Sequence, residues 1–588
     1  MSLADLPTIA VIADAHFHDL YGDYDFKGIE TKNGVMTARR LTDTVRSTRV
    51  FNESYQALRA ALDDIARRQI RHVVLLGDYS DDGQIATLAA LQRLLDSYRH
   101  AYGMVFTAVP GNHDIFGPAG RHHGKRLLNA DGSYTFVASS AEFIDHEANG
   151  FVLTPKMYCK GYPEGLQAIT GLGFFHRDGD LYWETPFGTD DAPEHRLYNV
   201  TSPDGRNRYS LMDASYLVEP APGLWLLMLD VNVFAPRNGN FAGGEAQAFV
   251  DSTNAGWNAV IEHKHFLFQW MQDVARRACE GGKCLLTFSH YPTIDMLNGT
   301  TADEFSLIGP TGAVKRTPAP ATAQTIANTG IGVHFSGHLH INDTAQAVSG
   351  RDWLINVGVP SLVAFPPAFK IVKTDGNSIE IETAMLDGLA RDAHLDAQYR
   401  TELALTRKDV GTILDTPDYG SFLSEHVQQL VIHRYLRKEW PKDLAAIAKV
   451  LTLADLVFLV NQPSSMDMDE ATGIFTMTPK GHCSEDEIRI FCAEHTLHGE
   501  TLQAVSFLEL LGDWYRLRKA SELAFGWICP HRLRIYQTFI ALFASRTDKL
   551  GSLHEKIGIL LRMMGAYMGG LPSRNFRIDL GDGSIQPL

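Results

Sequence analysis

Between residues 8 and 115 short apolar runs alternate with helical periods, and that alternation admits few folds. TIAVIAD, HVVLLGD and MVFTAVPGNHD read as strands. Between them, Glu53–Arg68 carries Tyr55, Leu58, Leu62 and Ile65 at helical spacing, and Ile85–Tyr98 supplies a second helical period. A βαβαβ order makes the three strands parallel, with crossover helices on the sheet faces. Sheets of this kind carry their chemistry at the carboxyl ends of the strands. All three strands here end in polar clusters: DAH, GDYSDDG and GNHD. KCLLTFSHYP and GVHFSGHLH repeat the pattern further on, ending at His290 and at the pair His338 and His340. Strand alternation puts residues i and i+2 on one side, so the last two imidazoles can face one point.

Between GNHD and His290, residues 117–280 form a long insertion rich in glycine, aromatics and turns. It contains the strand-like GLWLLMLDVNVF and a helical period at His265–Cys279. After His340, WLINVGVPSL, FKIVKTDG and NSIEIETAML read as edge strands, the last two forming a hairpin about Asp375–Gly376. From about residue 390 helical periods dominate: Ala397–Thr406, Phe422–Lys438, Asp443–Phe458, Glu500–Arg518, His531–Ala544 and Leu553–Met564. Ser484 and Glu487 carry the signature of a capping box. A chain of 588 residues suits two or three domains. The expected organisation is a catalytic domain over 1–388 and a mostly helical C-terminal domain over 389–588.

Composition narrows the function classes. A net charge of −16 disfavours attraction to nucleic-acid phosphates. The six cysteines form no CxxC pair, so zinc-finger and thioredoxin-like sites are not expected. No run of 18 apolar residues is present, so no membrane-spanning helix is expected. The apolar stretch Ile9–Ala13 is short and no basic residue precedes it, which suits a buried first strand better than a signal peptide. The expectation is a cytoplasmic protein; a leader ahead of Met1 would place it in the periplasm instead.

The strand-end residues Asp14, His16, Asp78, Asn112, His290, His338 and His340 offer oxygen and nitrogen donors and no thiolate. That chemistry suits Mn, Fe, Zn or Co. These donors are too many for one tetrahedral site, but they suit two ions sharing a carboxylate. Such ions, roughly 3.5–4 Å apart, can hold a hydroxide and clamp a phosphate between them.

D-x-H (Asp14, His16), G-D (Asp78), G-N-H-D (Gly111–Asp114), a lone His290 and G-H-x-H (Gly337–His340) follow one another as in calcineurin-like metallophosphoesterases. The chain resembles that family over residues 8–385. SAEFIDHEANGF and YLVEPAPGLWLLMLD are similar to its bacterial, cyclic-nucleotide phosphodiesterase-like branch. The resemblance implies an α/β fold, a four-layer α/β/β/α sandwich with two metal ions at the strand ends. It implies that Asp14, His16 and His340 bind one ion, Asp78 bridges, and Asn112, His290 and His338 bind the other. It makes His113 the group that protonates the leaving oxygen or stabilises its charge, and Asp114 the group that orients or polarises His113. The implied reaction is in-line attack on phosphorus by a hydroxide between the ions.

Charge then bears on the substrate. Two divalent ions (+4), less Asp14, Asp78 and one hydroxide (−3), leave about +1, enough to neutralise a phosphodiester. A monoester near −2 needs further cations, and the run RHHGKR could supply them through Arg121, His122, His123 or Lys125. The expected activity is therefore phosphodiester hydrolysis of a small molecule. A phosphatase acting on a nucleotide, sugar or protein is the alternative. The helical domain is expected to bind a partner or form a homo-oligomer. His18, Asp19, Asp81 and Asp82 read as turn residues. His176, His195, His334 and His482 read as surface or core histidines, and GFFHRDGDLYWETPF as a packed loop.

Overall fold

The computed structural model describes residues 6–241, 245–462, 468, 473–475 and 483–588. The first three strands form as their apolar runs predict: β1 (Ile9–Ile12), β2 (His72–Leu76) and β3 (Val105–Val109) lie parallel and adjacent. Helix α1 (Ser54–Arg67) joins the first pair and α2 (Ile85–Tyr102) the second. α1 buries Ala57, Leu58, Ala61, Leu62 and Ile65, the i, i+3, i+4 stripe that faces a core. α2 stops at Gly103, whose φ of +66° suits a residue without a Cβ.

A second sheet holds β4 (Tyr182–Glu184), β5 (Tyr216–Ala221), β6 (Leu224–Leu229), β7 (Cys284–Ser289), β8 (Val333–Ser336), β9 (Thr344–Ser349) and β10 (Asp352–Gly358). Their order is β9-β10-β8-β7-β6-β5-β4, and β6, β7, β8 and β10 run parallel. Part of the 117–280 stretch thus builds this sheet, together with α3 (Phe266–Glu280), which precedes β7. β6 is apolar throughout because both its faces are covered. Leu224, Leu226 and Met228 belong to the main core with Phe106 and Ile371 of the first sheet. Trp225, Leu227 and Leu229 alternate into a second core with Trp257, Leu267 and Met271 from the outer helices. The result is a four-layer α/β/β/α sandwich with a helical C-terminal region, as expected.

The edges differ from expectation. β11 (Ala368–Thr374) and β12 (Ser378–Met385) form the hairpin, but neither is an edge strand. Two further strands, β13 (Phe576–Asp579) and β14 (Ile585–Pro587), complete the order β14-β13-β12-β11-β1-β2-β3. WLINVGVPSL is internal too, since β9 pairs antiparallel outside β10. Alternation alone did not reveal these positions, because the covering strands are short and lie elsewhere in the chain.

In the helical region the expected period at Glu500–Arg518 divides into Gly499–Ala504 and a longer helix, and Asp443–Phe458 divides into Lys442–Ala448 and Leu453–Asn461. The breaks occur where Thr452 and Ser506 make capping boxes with Asp455 and Glu509. The box at Ser484 and Glu487 also forms. Two elements matter below: α4 (Tyr419–Leu430), which runs into a π-helical turn at Val431–Tyr435, and α5 (Phe507–Ala520). No gap in the apolar core marks residue 388, for one cluster contains Ile9, Leu226, Phe422, Trp514 and Tyr567. Among the described residues no helix is long and apolar enough to cross a membrane.

Candidate metal centre

Asp14 follows β1, Asp78 follows β2, Asn112 follows β3, His290 follows β7, and His338 and His340 follow β8. The two sheets therefore bring their carboxyl ends to one place. Asp14, His16, Asp78, His338 and His340 all have left-handed backbones, with φ of 48°, 40°, 48°, 68° and 52°. Such conformations cost about 1–3 kcal/mol each and persist where surrounding structure imposes them. The imposition is visible at Gly77, where a Cβ would strike the His290 ring, and at Gly111, where it would strike the Asp78 carboxylate.

Two triads result. Ligand atoms of Asp14, His16 and His340 lie within 4.8 Å of one another, as do those of Asp78, His290 and His338. His16 Nε2 is 3.2 Å from His340 Nε2, and His338 Nδ1 is 3.2 Å from His290 Nε2. Asp78 Oδ2 lies 3.2 Å from His290 Nε2 and 3.7 Å from His16 Nε2, so it touches both groups. Backbone carbonyls of Leu76 and Thr253 bond the far nitrogens of His290 and His338, which orients both rings. The Asp14 carboxylate accepts the His338 backbone N–H. Asn112 donates to Thr253 and leaves Oδ1 buried without a protein partner.

Burial pushes the Asp78 carboxyl up, but His290 and His113 beside it outweigh that and hold it well below its usual range. Burial pushes His290 down, and Asp78 more than reverses this, raising it to about 9. Burial followed by Arg49 keeps His16 well below its ordinary value, and burial followed by Arg316 does so for His338. Neutral imidazoles are the ligating form. The oxygen and nitrogen donors, the facing imidazole nitrogens and the orphaned Asn112 Oδ1 fit a pair of hard or borderline cations.

The surroundings of His113 differ from expectation. Asp114 does not touch the imidazole; its carboxylate accepts from the backbone N–H groups of Ser80 and Gly111 and from the Ser80 hydroxyl. It staples the two motif loops together, and burial with the Asp78 charge pushes it up to about 7. The orienting carboxylate is Asp82, which bonds His113 Nδ1 and, at 3.1 Å, His123 Nε2. The His113 backbone N–H donates to Asp78 Oδ1 at 2.8 Å, tying this loop to the triads.

Arg49 has no motif to announce it. Its guanidinium lies 3.5 Å from both His113 ring nitrogens and donates to Asp81 at 2.8 Å. Lys125 is also reassigned. It is buried, with its ammonium 2.7 Å from Asp81 Oδ2 and 2.8 Å from the Asp81 carbonyl, so no substrate can reach it. A basic run on an exposed loop and a lysine folded inward beneath two aspartates look identical in sequence.

Arg121 remains half-exposed, stacked 4.1 Å over the Phe116 ring and 3.5 Å from Asp251. It lines a cavity of about 660 Å³ with Phe116, Tyr158, Phe234 and Arg237. Phe116 in turn stacks at 6.0 Å on His113. His18 bonds the Thr37 carbonyl through Nε2 and leaves Nδ1 buried without a partner, and His334 bonds Ser289 and Asn356; both are core histidines. His195 pairs with Asp190 at the surface, and His482 lies outside the described residues.

The sequence profile of the calcineurin-like phosphoesterases matches residues 7–342. The chain belongs to the calcineurin-like phosphoesterase family. No curated protein matches it. Among solved structures, a dimetal phosphatase from Danio rerio is similar at 14% identity, over 64% of this chain and 96% of that one, with a TM-score of 0.33.

Asp82 bonds His113 Nδ1, and if that bond positions a general acid its removal has a specific signature. Asp82→Asn is expected to slow hydrolysis of esters with poor leaving groups by about 10–100-fold. Nitrophenyl esters, which need little protonation, are expected to be spared. A uniform loss across both substrates, with a lower Tm, would mark a merely structural carboxylate.

Proposed function

We propose that the chain hydrolyses a phosphomonoester at a dinuclear centre. Asp14, His16 and His340 would hold one ion, Asn112, His290 and His338 the other, and Asp78 would reach both; Mn, Fe, Zn or Co suit these donors. The carrying observation is that the two triads meet at Asp78, with His113 anchored to the same carboxylate through its backbone N–H. Bound ions supply the Lewis acid for the phosphoryl oxygens and an activated water as nucleophile. The chain's own residues handle the leaving group. Protonated His113, held by Asp82 through Nδ1, gives its Nε2 proton to the leaving oxygen as the P–O bond breaks.

A centre of about +1 suits a diester, and that count omits the arginines. Arg316, whose charge acts on His338, adds positive charge without an ion pair among the described residues, while Arg49 beside His113 offers N–H donors although Asp81 and Asp82 pair with its charge. Both support a dianionic terminal phosphate over a monoanionic diester. The test is kcat/KM for matched nitrophenyl mono- and diesters, read as transition-state free energies. Monoester preference is expected, and Arg49→Gln should lower it. A wild-type preference for the diester would return the reading to a phosphodiesterase.

A further inference from the structure

The helical region reaches the metal-ligand cluster at one well-defined place. The C-terminal end of α5 is pinned two residues beyond His340: the Asn342 backbone N–H donates to the Lys519 carbonyl at 2.7 Å, and its side-chain amide to Ala520 at 3.2 Å. Lys519 is only 4% exposed. Among the described residues its ammonium makes no hydrogen bond and no ion pair, and it keeps a small opening to solvent. Its neighbour Arg518, by contrast, is neutralised by Glu304 through contacts of 2.8 and 2.6 Å. Lys519 lies within electrostatic reach of Asp14 and His340. Glu439 is the helical region's carboxylate on this side, and it makes no ion pair with Lys519.

A second cation acts on it through its charge. Arg434, in the π-helical turn after α4, gives one N–H to the Arg46 carbonyl at 2.8 Å and keeps a buried Nε without a partner. It makes no ion pair among the described residues, and its charge is felt by both Lys519 and Arg316. Arg316 bonds only Asn254, adjacent to the Thr253 that holds His338. Arg49 comes from the segment whose Thr44 carbonyl accepts a hydrogen bond from His426 of α4. Burial, with Arg518 and Arg434 nearby, pushes Lys519 down to about 7.

A buried charge that makes no ion pair is costly. Glu439 and Asp14 act on Lys519 only at longer range, and neither Lys519 nor the half-buried Arg434 makes an ion pair among the described residues, so an anionic ligand is the partner that would pair them. We propose that the helical C-terminal region forms half of the substrate site, with Lys519 and Arg434 binding a second phosphate carried on the leaving portion of the phosphoester. This rests on the phosphoesterase reading for the first phosphate.

The test uses the full chain loaded with Mn²⁺ and two non-hydrolysable probes, phenylphosphonate and 1,4-phenylenebisphosphonate, with Kd measured by calorimetry. The wild type is expected to bind the bisphosphonate about tenfold more tightly, as one charge-assisted contact pair would give. In Lys519→Met with Arg434→Gln the ratio should collapse to about one, and Tm should rise because a buried unpaired charge is gone. An unchanged ratio, or no wild-type preference, overturns the proposal. Should the double variant not fold, Arg434→Gln alone replaces it. That half-buried site should cut the ratio about threefold by the same arithmetic, and an unmoved ratio is again fatal. A protein that prefers the bisphosphonate but hydrolyses no phosphoester would sink the catalytic reading alone. One that hydrolyses phenyl phosphate without that preference would sink only this site.

Discussion

Replacing Asp78 with alanine is expected to empty both metal positions and lower kcat/KM for an aryl phosphate by about 10³-fold or more. Metal ions supply several kcal/mol of transition-state stabilisation, and each 1.36 kcal/mol is a factor of about ten. Asp78 approaches both triads more closely than Asp14 does, at 3.2 Å from His290 and 3.7 Å from His16, against 4.0 Å from Asp14 to His290. Asp14 belongs to one triad, so Asp14→Ala should spare more of the second ion. Elemental analysis of protein purified without chelator reads the difference. Asp78 also anchors the His113 backbone, so Asp78→Asn, which keeps the shape and the hydrogen bond, separates lost charge from a lost loop. Full metal content in Asp78→Asn would refute the bridging role.

His113→Ala is expected to keep both ions and slow turnover by about 10²–10⁴-fold, the usual contribution of a general acid. The loss should shrink for nitrophenyl esters, whose leaving oxygen needs little protonation. Metal content separates the two variants: a His113→Ala protein lacking an ion would make His113 a ligand. That outcome has a geometric basis to guard against, because His113 also approaches His16 and Asp78 within 4.8 Å. Its bond to Asp82, however, directs Nδ1 away from the triads.

The strand-end motifs were legible because each sits where an apolar run meets a glycine or a polar turn, and parallel topology gathers those points. Asp82 was not, since an aspartate in a GDYSDDG turn satisfies local backbone groups as readily as a histidine thirty-one positions away. Asp114 was misassigned for the converse reason: adjacency to His113 suggested contact, whereas the turn aims its side chain at Ser80. Arg49 carries no pattern at all and matters only through where the 41–50 segment folds. Helical periods located the C-terminal elements, but nothing in those periods tells which end of α5 meets His340.

The pairing of β13 with β12 also sets a clock. About 190 residues separate Met385 from Phe576, and at 5–20 residues per second a ribosome needs roughly 10–40 s to make them. During that interval the sheet that positions Asp14 and Asp78 lacks the partner of Ser378–Ile381. Unpaired strand edges of this kind recruit other chains. The strand that closes this edge is therefore the last part of the sheet to be synthesised.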